Sequence, residues 1–163
     1  MNKMILSLAA VTLLSATAFA AQAAETADYS GLTACGHSKN TTLIAGPNLT
    51  IYLWEFGGIV PPESTFKPLQ NATVHCTGYS RIMQGKLTGM AGCHWTDAAG
   101  DTFDGESVDA PDKPGAWTFL AGTGKYQGIS GGGSYSTTAM GKMNADGSLE
   151  LCFSPTGKWT LPK

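Results

Sequence analysis

TVHCTGYSRIMQGKLTGMAGCHWTD, from Thr73 to Asp97, decides the fold of this 163-residue chain. If Gln84 and Gly85 form a two-residue turn, the numbers of facing residues add to 169, and Cys76 falls opposite Cys93. Glycine at the second turn position suits a type I′ turn, which needs positive φ. Facing pairs alternate between hydrogen-bonded and non-bonded classes. Counting from a bonded Met83 and Lys86 puts the two cysteines in the non-bonded class, where Cα atoms come closest. That spacing lies within reach of a disulfide. The stretch therefore predicts two long antiparallel strands stapled to each other.

Four cysteines allow three pairings, and with Cys76 joined to Cys93 the remaining pair is Cys35 with Cys152. That bond would tie the beginning of the mature chain to its end. Before it, Met1 to Lys3 give a basic start, Met4 to Leu14 an apolar run, and Ala18-Phe19-Ala20 and Ala21-Gln22-Ala23 two small-x-small sites. Together these read as a secretory signal over residues 1–23, cleaved after Ala20 or Ala23. Residues 24–163 then form a single exported domain, periplasmic or secreted, in a compartment where disulfides persist. The apolar run is too short to span a bilayer, and no later segment is long enough.

Without Lys3, nine basic side chains against twelve acidic ones leave a formal charge of −3. No basic run is present, which argues against nucleic acid as a partner.

Outward from the hairpin, Tyr29 to Cys35 reads as a short strand, while Gly36 to Ala45 is polar and without clear period. Leu49 to Phe56, LTIYLWEF, is the plainest strand, with Leu49, Ile51 and Leu53 on one face and Tyr52, Trp54 and Phe56 on the other. Apolar on both faces, it predicts burial between layers or in a subunit contact. Ile59 to Leu69, with three prolines, is a loop. On the hairpin, Val74, Cys76, Leu87, Ala91, Cys93 and Trp95 share the core face; His75 and His94 face each other on the opposite one. Asp97 to Asp101 and Asp109 to Gly115 are turns. Further strands run over Thr102 to Val108, Ala116 to Leu120, Ser134 to Met140, Ser148 to Phe153 and Lys158 to Leu161. Apolar residues nowhere recur at helical spacing after the leader. The fold class is all-β, and stapled termini favour a closed antiparallel barrel, because closure removes two exposed sheet edges.

The Cys76 to Cys93 hairpin, the acidic turn and the segment WTFLAGTGKYQGISGGG (Trp117 to Gly133) resemble the bacterial secreted relatives of the allene oxide cyclase and dirigent-like barrels. The resemblance covers Thr73 to Tyr135. It implies a calycin-like barrel of about eight strands around a partly apolar cavity, and admits a homo-oligomer, since plant members often assemble as trimers. Those plant enzymes close a ring in a fatty-acid epoxide or guide coupling of phenoxy radicals. Their catalytic carboxylate and tyrosine are not placed on positions of this chain, so the resemblance carries architecture rather than activity.

Several side chains are candidates for chemistry. Gly124-Lys125 lacks the serine or threonine and the helix of a phosphate loop, and the glycines read instead as tight turns that let Tyr126 and Ile129 tuck into one barrel end. His75 and His94 would need His37 or Tyr79 to complete a metal site; a solvent-facing pair is the simpler reading, and no metal is assigned. Asp97, Asp101, Asp104 and Glu106 lack calcium-loop spacing. Glu55 interrupts an apolar strand, and if it faced a cavity it would be an acid-base candidate alongside the histidines. Tyr52, Trp54, Phe56, Trp95 and Trp117 are the candidate ligand-binding residues. The expected function is binding of a small, largely hydrophobic molecule without a cofactor. The alternatives are a cyclase or isomerase working in the cavity and an envelope-associated interaction or inhibitor protein.

Overall fold

The computed structural model describes residues 24–162; the leader expected over residues 1–23 lies outside them. Nine antiparallel strands form one sheet that curls into a ring: β1 (Glu25–Asp28), β2 (Ala34–Ala45), β3 (Leu49–Ile59), β4 (Thr73–Met83), β5 (Lys86–Thr96), β6 (Thr102–Asp109), β7 (Gly115–Gly122), β8 (Ser130–Met140) and β9 (Ser148–Leu161). Neighbours run β2 to β9 in order, and β9 pairs with both β8 and β2, so the sheet is joined on itself. Along its other half the same edge of β9 takes β1, from Asp28 with Lys158 to Glu25 with Leu161. β1 and β2 thus occupy one position in an eight-position barrel.

The hairpin has the register expected of it. Gln84 and Gly85 have φ of 52° and 77°, both positive as type I′ requires. Cys76 faces Cys93 with Cα atoms 4.0 Å apart, and the disulfide projects into the barrel, where both sulfurs are buried. Cys35 and Cys152 form the second disulfide, joining β2 to β9. Two disulfides in one small domain fit an oxidising compartment.

Three expectations are corrected. Residues 36–45, read as aperiodic, belong to β2, the twelve-residue strand that starts at Ala34. The inward positions of its first half are Gly36, Ser38 and Asn40, too small or polar to show an apolar alternation; a Cβ on Gly36 would run into the backbone of Gly57 and Gly58. The turn expected over residues 154–157 is instead the middle of β9, which runs unbroken through Pro155 and Gly157. Both residues fall in the interval that, on one edge, neither β2 nor β1 pairs, where a proline costs no ladder bond. Of the two alternatives for β3, burial between layers is the one corrected: Phe56 points inward and is buried, whereas Leu53 on the outer wall is 47 % exposed.

One end of the barrel is filled. Residues 60–72 fold across it, pinned by Val60 N–H to Ala72 C=O (2.8 Å) and Asn71 N–H to Val60 C=O (3.0 Å), and they insert Phe66 and Leu69. Tyr29, Phe103, Phe119, Tyr126 and Trp159 complete a cluster of edge-on rings, with Phe103 and Tyr126 centroids 4.9 Å apart and Phe66 and Trp159 5.1 Å apart. Such pairs add to the stabilisation from area burial. Asp97 locks this end. Its carboxylate, 2 % exposed, accepts from the Ala99 and Asp101 N–H groups, from the Tyr126 hydroxyl and from the Lys125 ammonium at 2.6 Å. Tyr126 and Ile129 are buried, so the glycine-rich connection between β7 and β8 tucks into this end.

Candidate functional site

The opposite half of the barrel is open. A cavity of about 250 Å³ extends inward from the mouth formed by the ends of β2, β4, β6 and β8 and the starts of β3, β5, β7 and β9. Tyr52, Trp54, Phe56, Trp95 and Trp117, expected to contact a ligand, all line it. They do so because β3 turns its even-numbered residues inward, while β5 and β7 turn their odd-numbered ones inward. The Cys76 side of the inner disulfide lines the cavity too.

Three aromatic rings lie over glycines of neighbouring strands. Trp54 covers Gly78, where a Cβ would come within 2.8 Å of its ring; Trp117 covers Gly105; and Tyr135 covers Gly115. Glycine weakens a strand by leaving nothing to pack, and a ring folded over it from the next strand recovers that contact. Trp54 is held further by its indole N–H, which donates to the Ser80 hydroxyl at 3.1 Å.

A belt of polar groups crosses the wall at one level. Ser80, Gly89 and Asp109 face one another in turn on β4, β5 and β6, and Gly115 on β7 faces Tyr135 on β8. Because Gly115 has no side chain, the Tyr135 ring reaches across β7, and its hydroxyl donates to Asp109 Oδ1. Burial first, and then the Asp109 carboxylate, push the Tyr135 phenol far above its ordinary range, so it stays protonated. Over Gly89 two oxygens converge: a Cβ there would lie 3.1 Å from Ser80 Oγ and 3.2 Å from Asp109 Oδ2. Among the described residues, Asp109 is the one charged side chain lining the cavity.

The acid-base candidates lie elsewhere. Glu55, His75 and His94 are on the outer wall and exposed, so none of them faces the cavity. His75 and His94 do face each other across β4 and β5, but His94 Nδ1 turns to Asp104 on β6 at 2.7 Å, and His37 pairs with Glu150 at 3.1 Å. The acidic quartet is likewise dispersed, with Asp97 inside the filled end and Asp104 on the outer wall. Asp109 and Tyr135 escaped the sequence reading because Asp109 was assigned to a turn. Extending the inward parity of Phe103, Gly105 and Ser107 by one step would have found it.

No helix among the described residues is long and apolar enough to cross a membrane. The outer wall carries Lys39, Glu55, Arg81, Asp104 and Glu106 within its strands, charges that a lipid-facing barrel band excludes. It also carries a row of exposed apolar neighbours, Leu53, Tyr79, Met90 and Val108, facing one another across β3 to β6. Neither the protein-family models nor the curated proteins include a match to this chain.

Proposed function

We propose that this chain is an exported binding protein, periplasmic or secreted, that holds one small, largely hydrophobic molecule in the open half of its barrel. The observation that carries the reading is the aromatic-lined cavity, in a barrel whose other half is packed solid with rings. Ligand sites are typically concave and mostly apolar, with a few fixed polar groups, and the Ser80, Asp109 and Tyr135 belt supplies such groups here. The resemblance of Thr73 to Tyr135 to the allene oxide cyclase and dirigent-like barrels supports only the architecture, a barrel around a partly apolar cavity.

A cyclase or isomerase is the second reading, favoured only by the Tyr135 and Asp109 pair. A phenol kept protonated by burial and by its carboxylate partner serves as a hydrogen-bond donor, not as a base at neutral pH. Binding therefore ranks first.

Native mass spectrometry of the protein purified from its own host, followed by a thermal-shift screen of small aromatic and alicyclic compounds, tests the proposal. Co-purified mass or a ligand-dependent rise in melting temperature supports it. A Trp54→Ala variant that bound every hit as tightly as the parent would count against the cavity as the site. Sequencing of the exported protein's N-terminus should find it starting at residue 21 or 24.

A further inference from the structure

Resting on the reading that the cavity holds a ligand, we infer that the ligand carries a positively charged nitrogen, a primary amine or a quaternary ammonium, on an apolar or aromatic body. Among the described residues, Asp109 is the only charged group that lines the cavity, and no lysine, arginine or histidine lines it. Lys86, at the start of β5, is engaged with Asp112 at 3.2 Å. Asp109 Oδ1 accepts from Tyr135, while Oδ2 leans over Gly89 toward Ser80 Oγ and forms no ion pair among the described residues.

An occupant displaces water from this carboxylate. A neutral apolar occupant would leave the charge desolvated and uncompensated, which is costly. An anionic one, such as the fatty-acid derivatives used by the plant cyclases, would add like-charge repulsion in a medium of low dielectric. A cationic nitrogen does the opposite: it pairs with Oδ2, donates to Ser80 Oγ if it carries hydrogens, and sits on the side of the lumen that holds Trp54, bonded to Ser80, and Tyr52, which faces Ser80 across the strands, aromatic rings of the kind that attract cations. The Tyr135 hydrogen bond holds the carboxylate in place for that contact, and the absence of a side chain at Gly89 lets Ser80 Oγ and Asp109 Oδ2 converge.

Calorimetric titration with three probes that share a phenylethyl body tests the inference: 2-phenylethylammonium, 2-phenylethanol and 3-phenylpropanoate. The expected order is ammonium, then alcohol about tenfold weaker, with the propanoate weaker than the ammonium by about a hundredfold or more. In Asp109→Asn, which keeps an acceptor for Tyr135, ammonium and alcohol should bind within about threefold of each other. Tyr135→Phe, which keeps the carboxylate, should retain the preference for ammonium. Equal binding of all three probes by the parent, or tighter binding of the propanoate, would overturn the cation inference while leaving the hydrophobic cavity in use. Binding of none of them at millimolar concentration would overturn both. The comparison on the unaltered protein stands even if Asp109→Asn fails to fold.

Discussion

The two halves of this barrel are built from the same strands and treat their interior in opposite ways. Toward the end covered by residues 60–72, the inward positions are Val74, Trp95, Phe103, Phe119 and Trp159, and the lumen is full. Toward the other end, the same strands turn in Ser38, Ser80, Gly89, Ser107, Asp109 and Gly115, and the lumen is empty enough to admit a guest. An eight-stranded barrel is just wide enough for side chains to fill it or for one small ligand to enter it. This chain does each in one half, so its stability and its binding should be separable by position along the same strand.

The largest test of that separation is a pair of truncations. Phe103→Ala removes a ring, 1 % exposed, that stacks on Trp95 at 5.6 Å and meets Tyr126 edge-on, and it should cost about 3–5 kcal/mol in urea unfolding. Trp54→Ala removes a larger side chain at the open half, where the space joins an existing cavity, and should cost about 1–2 kcal/mol, including its bond to Ser80. Equal losses would dissolve the distinction between a packed half and a receptive one.

Next comes Asp97, the lock of the filled end. Burial pushes its carboxyl up, but the Lys125 ammonium and the Ala99 and Asp101 N–H groups outweigh that and hold it below its ordinary value of 3.8. A carboxylate whose folded pKa is depressed contributes stability that is full above the unfolded pKa and is lost as pH falls through the folded one. Melting temperature should therefore drop below about pH 4. Asp97→Asn should cost about 2–3 kcal/mol at pH 7 and flatten that acid limb, because it leaves Lys125 without its partner and weakens the acceptor for Tyr126. A variant with the parent's acid limb would move the lock to some other carboxylate.

How far these regions could be read beforehand followed from how strongly local chemistry fixed them. In the β4 and β5 hairpin, turn residues with positive φ set the register, and the alternation of Val74, Cys76, Ala91, Cys93 and Trp95 marked the inner face without ambiguity. In β3 both faces are apolar, so parity grouped Tyr52, Trp54 and Phe56 but left open which face is inward; the structure turns those three in and Glu55 out. β2 was missed because its inward residues in the open half are small and polar, which is what lining a cavity requires and what erases a hydrophobic period. Asp109 lay one inward step past Ser107, at a position read as a turn, but its meeting with Tyr135 had no local signal: the two are twenty-six residues apart, on strands that do not pair with each other, and they meet only because Gly115 stands between them. Long-range contacts across a closed sheet leave no local pattern.

Gly115→Ala sharpens the comparison on the receptive side. The added methyl would occupy the space of the Tyr135 ring, so Tyr135 must swing off Asp109 at a cost of about 1–2 kcal/mol, while the filled end keeps its packing. The alkaline limb should change as well. A phenol whose folded pKa is raised gives stability that is full below the unfolded pKa, near 10, and is lost as pH climbs through the folded one. Spectrophotometric titration should show one more tyrosine ionising near its ordinary range in the variant than in the parent. An unchanged titration would mean that Tyr135 does not depend on the open space at Gly115.

The smallest effect belongs to Tyr29, in the filled half, and it asks whether that half is dry. Its ring is 1 % exposed and packs edge-on against Phe119 at 5.5 Å, but its hydroxyl and the indole N–H of Trp95 have no partner among the described residues. Both residues line a void of about 10 Å³, and burial pushes the phenol up to about 12. Removing a desolvated, unpartnered hydroxyl forfeits no hydrogen bond and relieves its desolvation, so Tyr29→Phe should leave stability unchanged or raise it by up to about 1 kcal/mol. Tyr126→Phe, which deletes the same atom from a ring that donates to Asp97, should cost about 1–2 kcal/mol. Two identical chemical changes within one aromatic cluster then separate packing from hydrogen bonding. If Tyr29→Phe instead cost as much as Tyr126→Phe, the hydroxyl would be bonded in solution. A void of this size next to two polar groups would then be holding a water molecule, and the filled end would be wet.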